Sequence, residues 1–217
     1  MSAGTPPPPN TEKTVGILIY ADVEVLDFCG PFEVFATTRL NEEMRRETSS
    51  PIQQLLVSES EDVVCANGGM RVLADVDFAT CPQLDMLLVP GGRGIRDLMH
   101  QTGCLDWLRK IAPQVERLAS IGTGSLLLAE AGLLVGKNAT THFRSVDFFR
   151  ERFPRTSLRP ELPIVVDGNI TTANSIRAGM DMALYLVAQT FGTPVARAAA
   201  KQMEYPYPDE HKARIEK

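Results

Sequence analysis

Short, unbroken apolar runs of strand length constrain this chain more than any other feature of its sequence. Residues 15–20 and 86–89 are two such runs, and neither contains a charged residue. Strands of this kind are typical of a parallel sheet that is covered on both faces. Helical patterns lie between the runs, and right-handed crossovers place such helices on both faces of the sheet. The sequence therefore predicts an α/β fold with a mostly parallel sheet.

The remaining segments continue this alternation with one exception. We predict a helix that begins at Gly30-Pro31, because proline suits the first turn of a helix. Asn67-Gly68-Gly69 predicts a tight turn between strands 63–66 and 70–76, which makes one β-hairpin insertion in the α/β order. Further strands are predicted at 52–57, 118–121, 139–142, 164–166 and 170–172. Further helices are predicted at 95–111, 126–134, 145–153, 180–191 and 194–203.

Length and composition indicate one domain. The chain has 217 residues, of which 44% are hydrophobic, and this is enough to bury a sizeable core. Four consecutive prolines near the start, with no positive charge followed by an apolar stretch, predict a disordered tail over residues 1–13 and no signal peptide. Residues 14–217 are predicted to form a single domain.

Charge and cysteine usage exclude several classes of protein. The formal net charge is −5 and there is no long basic run, so nucleic-acid binding is not expected. No apolar run approaches the roughly 18 residues that a membrane-spanning helix needs. The four cysteines lie far apart without a C-x-x-C pair, which argues against a zinc site and against a disulfide framework. We therefore expect a soluble, cytoplasmic protein without a metal or a cofactor.

Unusual residues follow the predicted strands at the edge where ligands bind in open parallel sheets. Asp27 follows the first strand, Pro90-Gly91-Gly92 follows the run at 86–89, and Gly122-Thr123-Gly124 follows the strand at 118–121. His142 ends the stretch at 139–142. A carboxylate, a histidine and exposed backbone amides at a helix N-terminus suit acyl-type chemistry. The residues offer no obvious nucleophile.

Each of these residues also has a purely structural explanation. Gly122 and Gly124 could ease a tight strand-to-helix turn, and they fail as a dinucleotide fingerprint because the sixth position of that motif is Leu127. Asp27 could cap backbone amides at a helix start. His142 could be a strand-end histidine with a satisfied ring. The residues alone leave these alternatives open.

Four segments together resemble the ThiJ/PfpI family of the class I glutamine amidotransferase-like superfamily. They are residues 26–35, 88–94, 119–134 and 140–142, and the resemblance extends from Thr14 to Tyr207. The Leu26-Asp27 acid motif, Thr123 and the ending Met203-Glu204-Tyr205 are most similar to isonitrile (isocyanide) hydratases. The resemblance implies a flavodoxin-like three-layer sandwich and a homodimer.

The resemblance also implies a reaction. In similar hydratases a cysteine thiolate attacks the terminal carbon of an isocyanide, and water then releases an N-substituted formamide. Carried over by motif, Asp27 is the acid and Thr123 is the neighbour of the nucleophile. Gly91 and Gly92 would contribute amides to the substrate site, and His142 occupies the histidine position of the family.

One position departs from the family pattern. The family reads Ala-Ser-Val/Ile-Cys-Thr-Gly where residues 119–124 read Ala-Ser-Ile-Gly-Thr-Gly, so Gly122 occupies the nucleophile position. Glycine relieves the strain of the turn, so the fold should survive, whereas covalent catalysis should not. The chain would then be an inactive hydratase-like enzyme, either engineered or natural. The alternative is a non-catalytic ligand-binding or regulatory module, such as the sensor domain of an AraC-type regulator.

Overall fold

The secondary structure follows the predicted alternation over most of the chain. The computed structural model describes residues 12–208, so residues 1–11 of the predicted tail lie outside the described residues. The strands are β1 (Lys13–Leu18), β2 (Ile52–Ser58), β3 (Val63–Cys65), β4 (Arg71–Leu73), β5 (Val76–Asp77), β6 (Met86–Val89), β7 (Arg117–Ile121), β8 (Asn138–Ala139), β9 (Ser157–Leu158), β10 (Ile164–Asp167) and β11 (Ile170–Ala173). The helices are α1 (Val25–Thr37), α2 (Ile95–Leu98), α3 (Thr102–Ile111), α4 (Gly124–Glu130), α5 (Val146–Arg152), α6 (Ile176–Phe191) and α7 (Thr193–Gln202).

Seven strands form one central sheet in the order β10-β11-β7-β6-β1-β2-β5. Only β10 runs antiparallel to its neighbour, and the other pairs are parallel. β1 lies inside the sheet, where Val15 is opposite Gln54 of β2 and Met86 of β6. Every residue of β6 is buried, as expected for a strand that is covered on both faces. The predicted mostly parallel sheet is therefore confirmed.

The helices form two layers around the sheet. Helices α1, α6 and α7 pack against one another, while α4 contacts α2, α3 and the central strands β6 and β7. This arrangement is the three-layer α/β sandwich of the flavodoxin-like fold. Among the described residues, no helix is long and apolar enough to cross a membrane.

The predicted hairpin is present as β3 and β4 outside the central sheet. The strand predicted at 70–76 is divided, because β4 ends at Leu73 and Val76 belongs to β5, which pairs with β2 in the central sheet. The turn of the hairpin places Gly68 at φ 79° and Gly69 at φ 87°, which is the left-handed region that favours glycine. The hairpin also supports the segment that precedes α1. The amide of Asn67 donates to the Val23 carbonyl at 2.9 Å, and the Asp22 amide donates to the Cys65 carbonyl at 2.8 Å.

The predicted start of the first helix at Gly30-Pro31 is wrong, because α1 begins at Val25 and Pro31 lies inside it. Without an N–H, Pro31 leaves the Asp27 carbonyl without its normal helical partner. The buried residues Asp27, Gly30, Pro31 and Val34 form one stripe at helical spacing across the proline. Burial of this stripe outweighs the loss of one hydrogen bond, which is worth about 1 kcal/mol.

Two other predicted helices are shorter than expected. The helix predicted at 95–111 is divided into α2 and α3 by an extended Gln101, so that Leu98 and Leu108 can both reach the core. The helix predicted at 126–134 ends at Glu130, and Gly132 at φ 82° turns the chain away.

The strand predicted at 139–142 is reduced to β8, which pairs with β9 outside the central sheet. Beyond β8 the chain is held by a side chain instead of a strand partner, because the Thr140 amide donates to Thr172 Oγ1 at 2.8 Å. His142 therefore reaches the edge of the sheet from a loop and not from a strand of the sheet.

The start of α4 lies unusually close to the end of β6. A Cβ atom at Gly124 would overlap the Val89 carbonyl oxygen and would lie 2.8 Å from the Pro90 carbonyl oxygen. Both are backbone atoms of the neighbouring loop, so they cannot move aside cheaply. Gly124 is therefore required by close approach, and not by an unusual φ.

We predict that Gly124→Ala lowers the free energy of unfolding by about 2–4 kcal/mol or prevents folding, because the added methyl group displaces the backbone of the neighbouring loop. Gly136→Ala is the matched control. Gly136 has φ 74° and nothing within 4 Å of an added Cβ, so only conformational strain of about 1–2 kcal/mol is expected there. Urea unfolding of both variants measures the difference, and an equal loss would contradict the steric explanation.

Candidate active site

The connection from β7 to α4 is a sharp turn centred on Gly122. β7 ends at Ile121, Gly122 has φ 55°, and α4 begins two residues later at Gly124. A residue with a side chain is held in such a conformation only at a cost of about 1–3 kcal/mol. The strand-to-helix elbow predicted at this position is therefore present, and glycine removes its strain.

Asp27 reaches this elbow from the first turn of α1. Its side chain is buried, and Oδ2 accepts a hydrogen bond from the Gly91 amide at 3.0 Å. Its other oxygen, Oδ1, is buried without a hydrogen-bond partner among the described residues. A Cβ atom placed on Gly122 would lie 3.4 Å from Asp27 Oδ2 and 4.0 Å from His142 Cβ. The fold thus brings together the acid, the elbow and the histidine that the sequence predicts for one site.

The protonation of Asp27 is set mainly by its burial. Burial raises the pKa of this carboxyl from 3.8 to about 7, the Gly91 N–H opposes the rise, and the negative charge of Glu24 adds to it. Near neutral pH a substantial fraction of Asp27 is therefore protonated. The site contains a carboxyl group that can donate a hydrogen bond.

The glycine loop after β6, which contains Gly91 and Gly92, is hydrogen-bonded to Asp27 of α1 and to Thr123 of the elbow. The Gly92 amide donates to Thr123 Oγ1 at 3.0 Å, and the Thr123 hydroxyl lies 3.3 Å from the Gly92 carbonyl. A Cβ atom on Gly91 would lie 2.8 Å from both Asp27 Oδ2 and Thr123 Oγ1, so only glycine fits. The Gly91 and Gly92 amides, expected to face a substrate, are bonded to Asp27 and Thr123. Their contact with a ligand stays a prediction.

The hydroxyl groups beside the elbow are held by the backbone. The Ser125 hydroxyl donates to the Gly122 carbonyl at 3.0 Å, and the Thr141 hydroxyl donates to the same oxygen at 3.3 Å. With Thr123 bonded to Gly92, none of the three is placed beside a base that could activate it. Sequence reasoning missed Thr141, although it lies next to His142.

His142 caps a short 3-10 turn, Phe143–Ser145, at the edge of the site. Its Nδ1 accepts from the Arg144 amide at 3.4 Å. Burial, and then the positive charge of Arg144, lower the pKa of His142 below its usual value. The imidazole is therefore neutral at pH 7, and its Nε2 carries the proton because Nδ1 accepts.

The site opens into a cavity of about 360 Å³. Sequence reasoning identified five of the residues that line it, and it missed the contribution of α6, which it placed at 180–191. Ser175 caps α6 by accepting from the Ala178 amide at 3.3 Å, and this serine was the signal that could have located the helix start. The lining comprises Glu24, Asp27, Gly92, Arg93, Ile95, Arg96, Gly122, Thr123, Leu126, His142, Arg144, Ser145, Ser175 and Ile176.

No cysteine lines this cavity. Cys29, Cys65, Cys81 and Cys104 are all free thiols, and burial raises the pKa of Cys29 in α1. Within residues 12–208, no group of three or more histidine, cysteine or carboxylate side chains is arranged to hold a metal ion. The titratable side chains that lie next to the elbow are those of Asp27 and His142.

The sequence pattern of the DJ-1/PfpI family matches residues 13–189 of the chain, which is most of its length. The chain belongs to the DJ-1/PfpI family. Membership confirms the family resemblance of the motifs and agrees with the mostly parallel sheet and its helical layers.

Three relatives show the range of proteins that share this fold. Isonitrile hydratase from Pseudomonas putida is 35% identical over 88% of this chain and 78% of its own length. The HTH-type transcriptional regulator CdhR from Pseudomonas aeruginosa is 37% identical over 64% of this chain, but only 41% of its own length. The crystal structure of a ThiJ/PfpI family protein from Pseudomonas syringae superposes with a TM-score of 0.79 at 27% identity, covering 92% of this chain and 78% of that chain.

We predict that Asp27→Asn stabilises the protein at pH 8 and has little effect at pH 4. Because the folded state raises the pKa from 3.8 to about 7, ionisation of Asp27 opposes folding. This cost is absent below about pH 4, grows as the pH rises towards 7, and reaches about 2–4 kcal/mol above it. The measurement is the free energy of unfolding against pH for both proteins.

Asp106→Asn serves as the control, because Asp106 lies on the exposed face of α3 beside Arg109. Its substitution should change stability by less than about 1 kcal/mol at either pH. A stability difference for Asp27→Asn that does not vary between pH 4 and pH 8 would contradict the assignment of a raised pKa.

Proposed function

We propose that this chain is an isonitrile hydratase-like protein that binds a small isocyanide at the elbow and does not turn it over by covalent catalysis. The observation that carries the proposal is the position of Gly122, where an added Cβ would lie 3.4 Å from the Asp27 carboxyl and within the same cavity as His142. The 35% identity to an isonitrile hydratase over most of both chains supports the ligand class.

The protonated carboxyl of Asp27 suits an isocyanide chemically. The terminal carbon of an isocyanide carries a lone pair that accepts a hydrogen bond, and the protonated Asp27 carboxyl lines the cavity beside Gly122, where it can donate one. A cavity of about 360 Å³ accommodates a small molecule, and Leu126, Ile95 and Ile176 give it apolar walls. Binding then needs no nucleophile.

Catalysis requires the thiol that Gly122 lacks. With a cysteine at 122, the thiolate would attack the isocyanide carbon while that carbon takes the proton of Asp27, giving a thioimidate. Water would then add to the same carbon, and the thiol would leave as the N-substituted formamide is released. The hydroxyls of Thr123 and Ser125 do not replace the thiol, because both are bonded to the backbone and neither has an adjacent base.

A second candidate function is ligand sensing without catalysis. It is favoured by the match to the transcriptional regulator, which is 37% identical to this chain over 140 residues. The same pocket would then bind a ligand and transmit its occupancy, and its chemistry need not include an isocyanide. The variant Gly122→Cys distinguishes the two candidate functions, because a pocket that only senses a ligand is not expected to gain turnover when a thiol is introduced.

We predict that Gly122→Cys produces formamide from n-butyl isocyanide and that adding Asp27→Asn lowers this rate by about 10²–10⁴-fold, the usual effect of losing a general acid. Formamide release by the unaltered chain should be undetectable above background. The cysteine should also cost about 1–3 kcal/mol of stability, because φ at this residue is positive.

Gly122→Ala is the control, because it introduces the same backbone strain without a thiol. It should be destabilised like Gly122→Cys and should release no formamide. Absence of formamide from a folded Gly122→Cys variant would contradict the hydratase proposal and favour the sensing function. Equal rates with and without Asp27→Asn would make Asp27 a structural residue.

We further propose that the chain forms a homodimer. Leu26, Phe143 and Ile176 adjoin or line the site, and their side chains are exposed to solvent in one copy. Light scattering at micromolar concentration should give twice the chain mass. Phe143→Ser should shift the equilibrium towards the monomer, whereas Leu73→Ser, which removes another exposed apolar side chain on the hairpin, should not.

A further inference from the structure

Three solvent-exposed arginines are among the residues that line the cavity at the elbow. Arg93 follows the glycine loop, Arg96 belongs to α2, and Arg144 follows His142. They come from two separate parts of the chain and converge on one opening. On a chain with a formal net charge of −5, such a concentration of positive charge is not explained by composition.

None of these three guanidinium groups forms an ion pair with a described carboxylate. Four described arginines outside the cavity do form such pairs, namely Arg45 with Glu42, Arg109 with Asp106, Arg152 with Glu130 and Arg159 with Glu161. Aromatic rings support two of the three guanidiniums at the cavity.

Arg96 lies 5.3 Å from the centroid of the Phe148 ring, and Arg144 lies 5.4 Å from that of Phe143. A ring beneath the flat face of a guanidinium orients it while its N–H edge remains free to donate hydrogen bonds. The contacts therefore position the two charges without satisfying their donors.

The two acids of the cavity offset these three positive charges only in part. Glu24 accepts a hydrogen bond from Asn67 Nδ2 at 2.9 Å and is held towards the hairpin. Asp27 is substantially protonated near neutral pH. In addition, the first residues of the 16-residue helix α6, Ser175 and Ile176, line the same cavity, so the positive end of the helix dipole faces it. The cavity thus has an excess of positive charge.

We infer that the ligand carries a carboxylate at the end remote from its reacting group. A carboxylate presents two oxygens in a plane, and this matches the paired N–H donors of a guanidinium. The inference rests on the proposed function: the isocyano group would lie between Gly122 and Asp27, and the carboxylate would lie among the arginines. The ligand class is a small isocyanide acid.

The first test compares isocyanoacetate with its methyl ester, which lacks the negative charge and carries one additional methyl group. Calorimetric titration of the unaltered chain at pH 7 should show binding of the acid at least 10-fold tighter than binding of the ester. In the double variant Arg96→Gln/Arg144→Gln this preference should fall below about threefold, while Arg96→Lys/Arg144→Lys should retain part of it. Arg150→Gln on α5, outside the cavity lining, should leave the preference unchanged. Thermal unfolding confirms that each variant is folded.

The dependence of ligand affinity on salt concentration is a second measurement. It would not distinguish the acid from the ester if the arginines had only a structural role. Raising the ionic strength should weaken binding of the acid but not of the ester. Equal affinity of the acid and the ester, or a preference that survives the double glutamine variant, would overturn the inference.

Failure of the inference can be separated from failure of the proposed function. If Gly122→Cys converts acid and ester with equal kcat/KM, the hydratase proposal stands and the carboxylate site is refuted. N-formylglycine, which has the carboxylate but no isocyano group, tests the site independently of the reaction. Arginine-dependent binding of N-formylglycine over its methyl ester, together with no turnover by the cysteine variant, would uphold the anion site and overturn the hydratase proposal.

Discussion

The backbone of Gly91 holds the site together. Its N–H donates to the buried carboxyl of Asp27, and its C=O accepts from the amide of Glu24 at 2.8 Å. Both partners belong to the start of α1, so this one residue fixes the loop after β6 to the segment after β1. A side chain at this residue would collide with Asp27 and with the elbow. The placement of the acid, the glycine loop and the elbow all depends on this contact.

Two features of the site, the buried Asp27 and the glycine at residue 122, have opposite effects on the free energy of folding. Burial of Asp27 opposes folding as the carboxyl ionises, and only one backbone amide partly compensates for it. Glycine at residue 122 relieves the strain that a side chain would bring to the elbow. In a relative with cysteine at the elbow both costs would be present together. This chain keeps the buried acid and avoids the strain.

Much of the site was predictable because parallel strands bring their carboxyl ends to one edge. The apolar runs identified β1 and β6, β7 was predicted as a further strand, and Asp27, Gly91 and Gly122 each follow one of these three strands. The family resemblance then supplied roles that spacing alone left open.

Other features required tertiary information. The start of α1 before Pro31 depends on burial of a stripe, which a local preference for proline in the first turn cannot reveal. His142 lines the cavity as predicted, but it lies in a loop outside the central sheet and not at the end of a strand of that sheet. The convergence of Arg96 and Arg144 arises because α2 and the turn after β8 meet only in the folded chain. The raised pKa of Asp27 likewise follows from burial, which no short sequence segment contains.

The inserted hairpin influences the pKa of Asp27, although it lies outside the central sheet. Asn67 at its turn binds the Val23 backbone and the Glu24 side chain, and the charge of Glu24 contributes to the raised pKa of Asp27. The hairpin therefore affects the pKa of Asp27 without forming a hydrogen bond to its carboxyl. Replacing Asn67 would release the Glu24 side chain and so change how strongly the Asp27 carboxyl holds its proton.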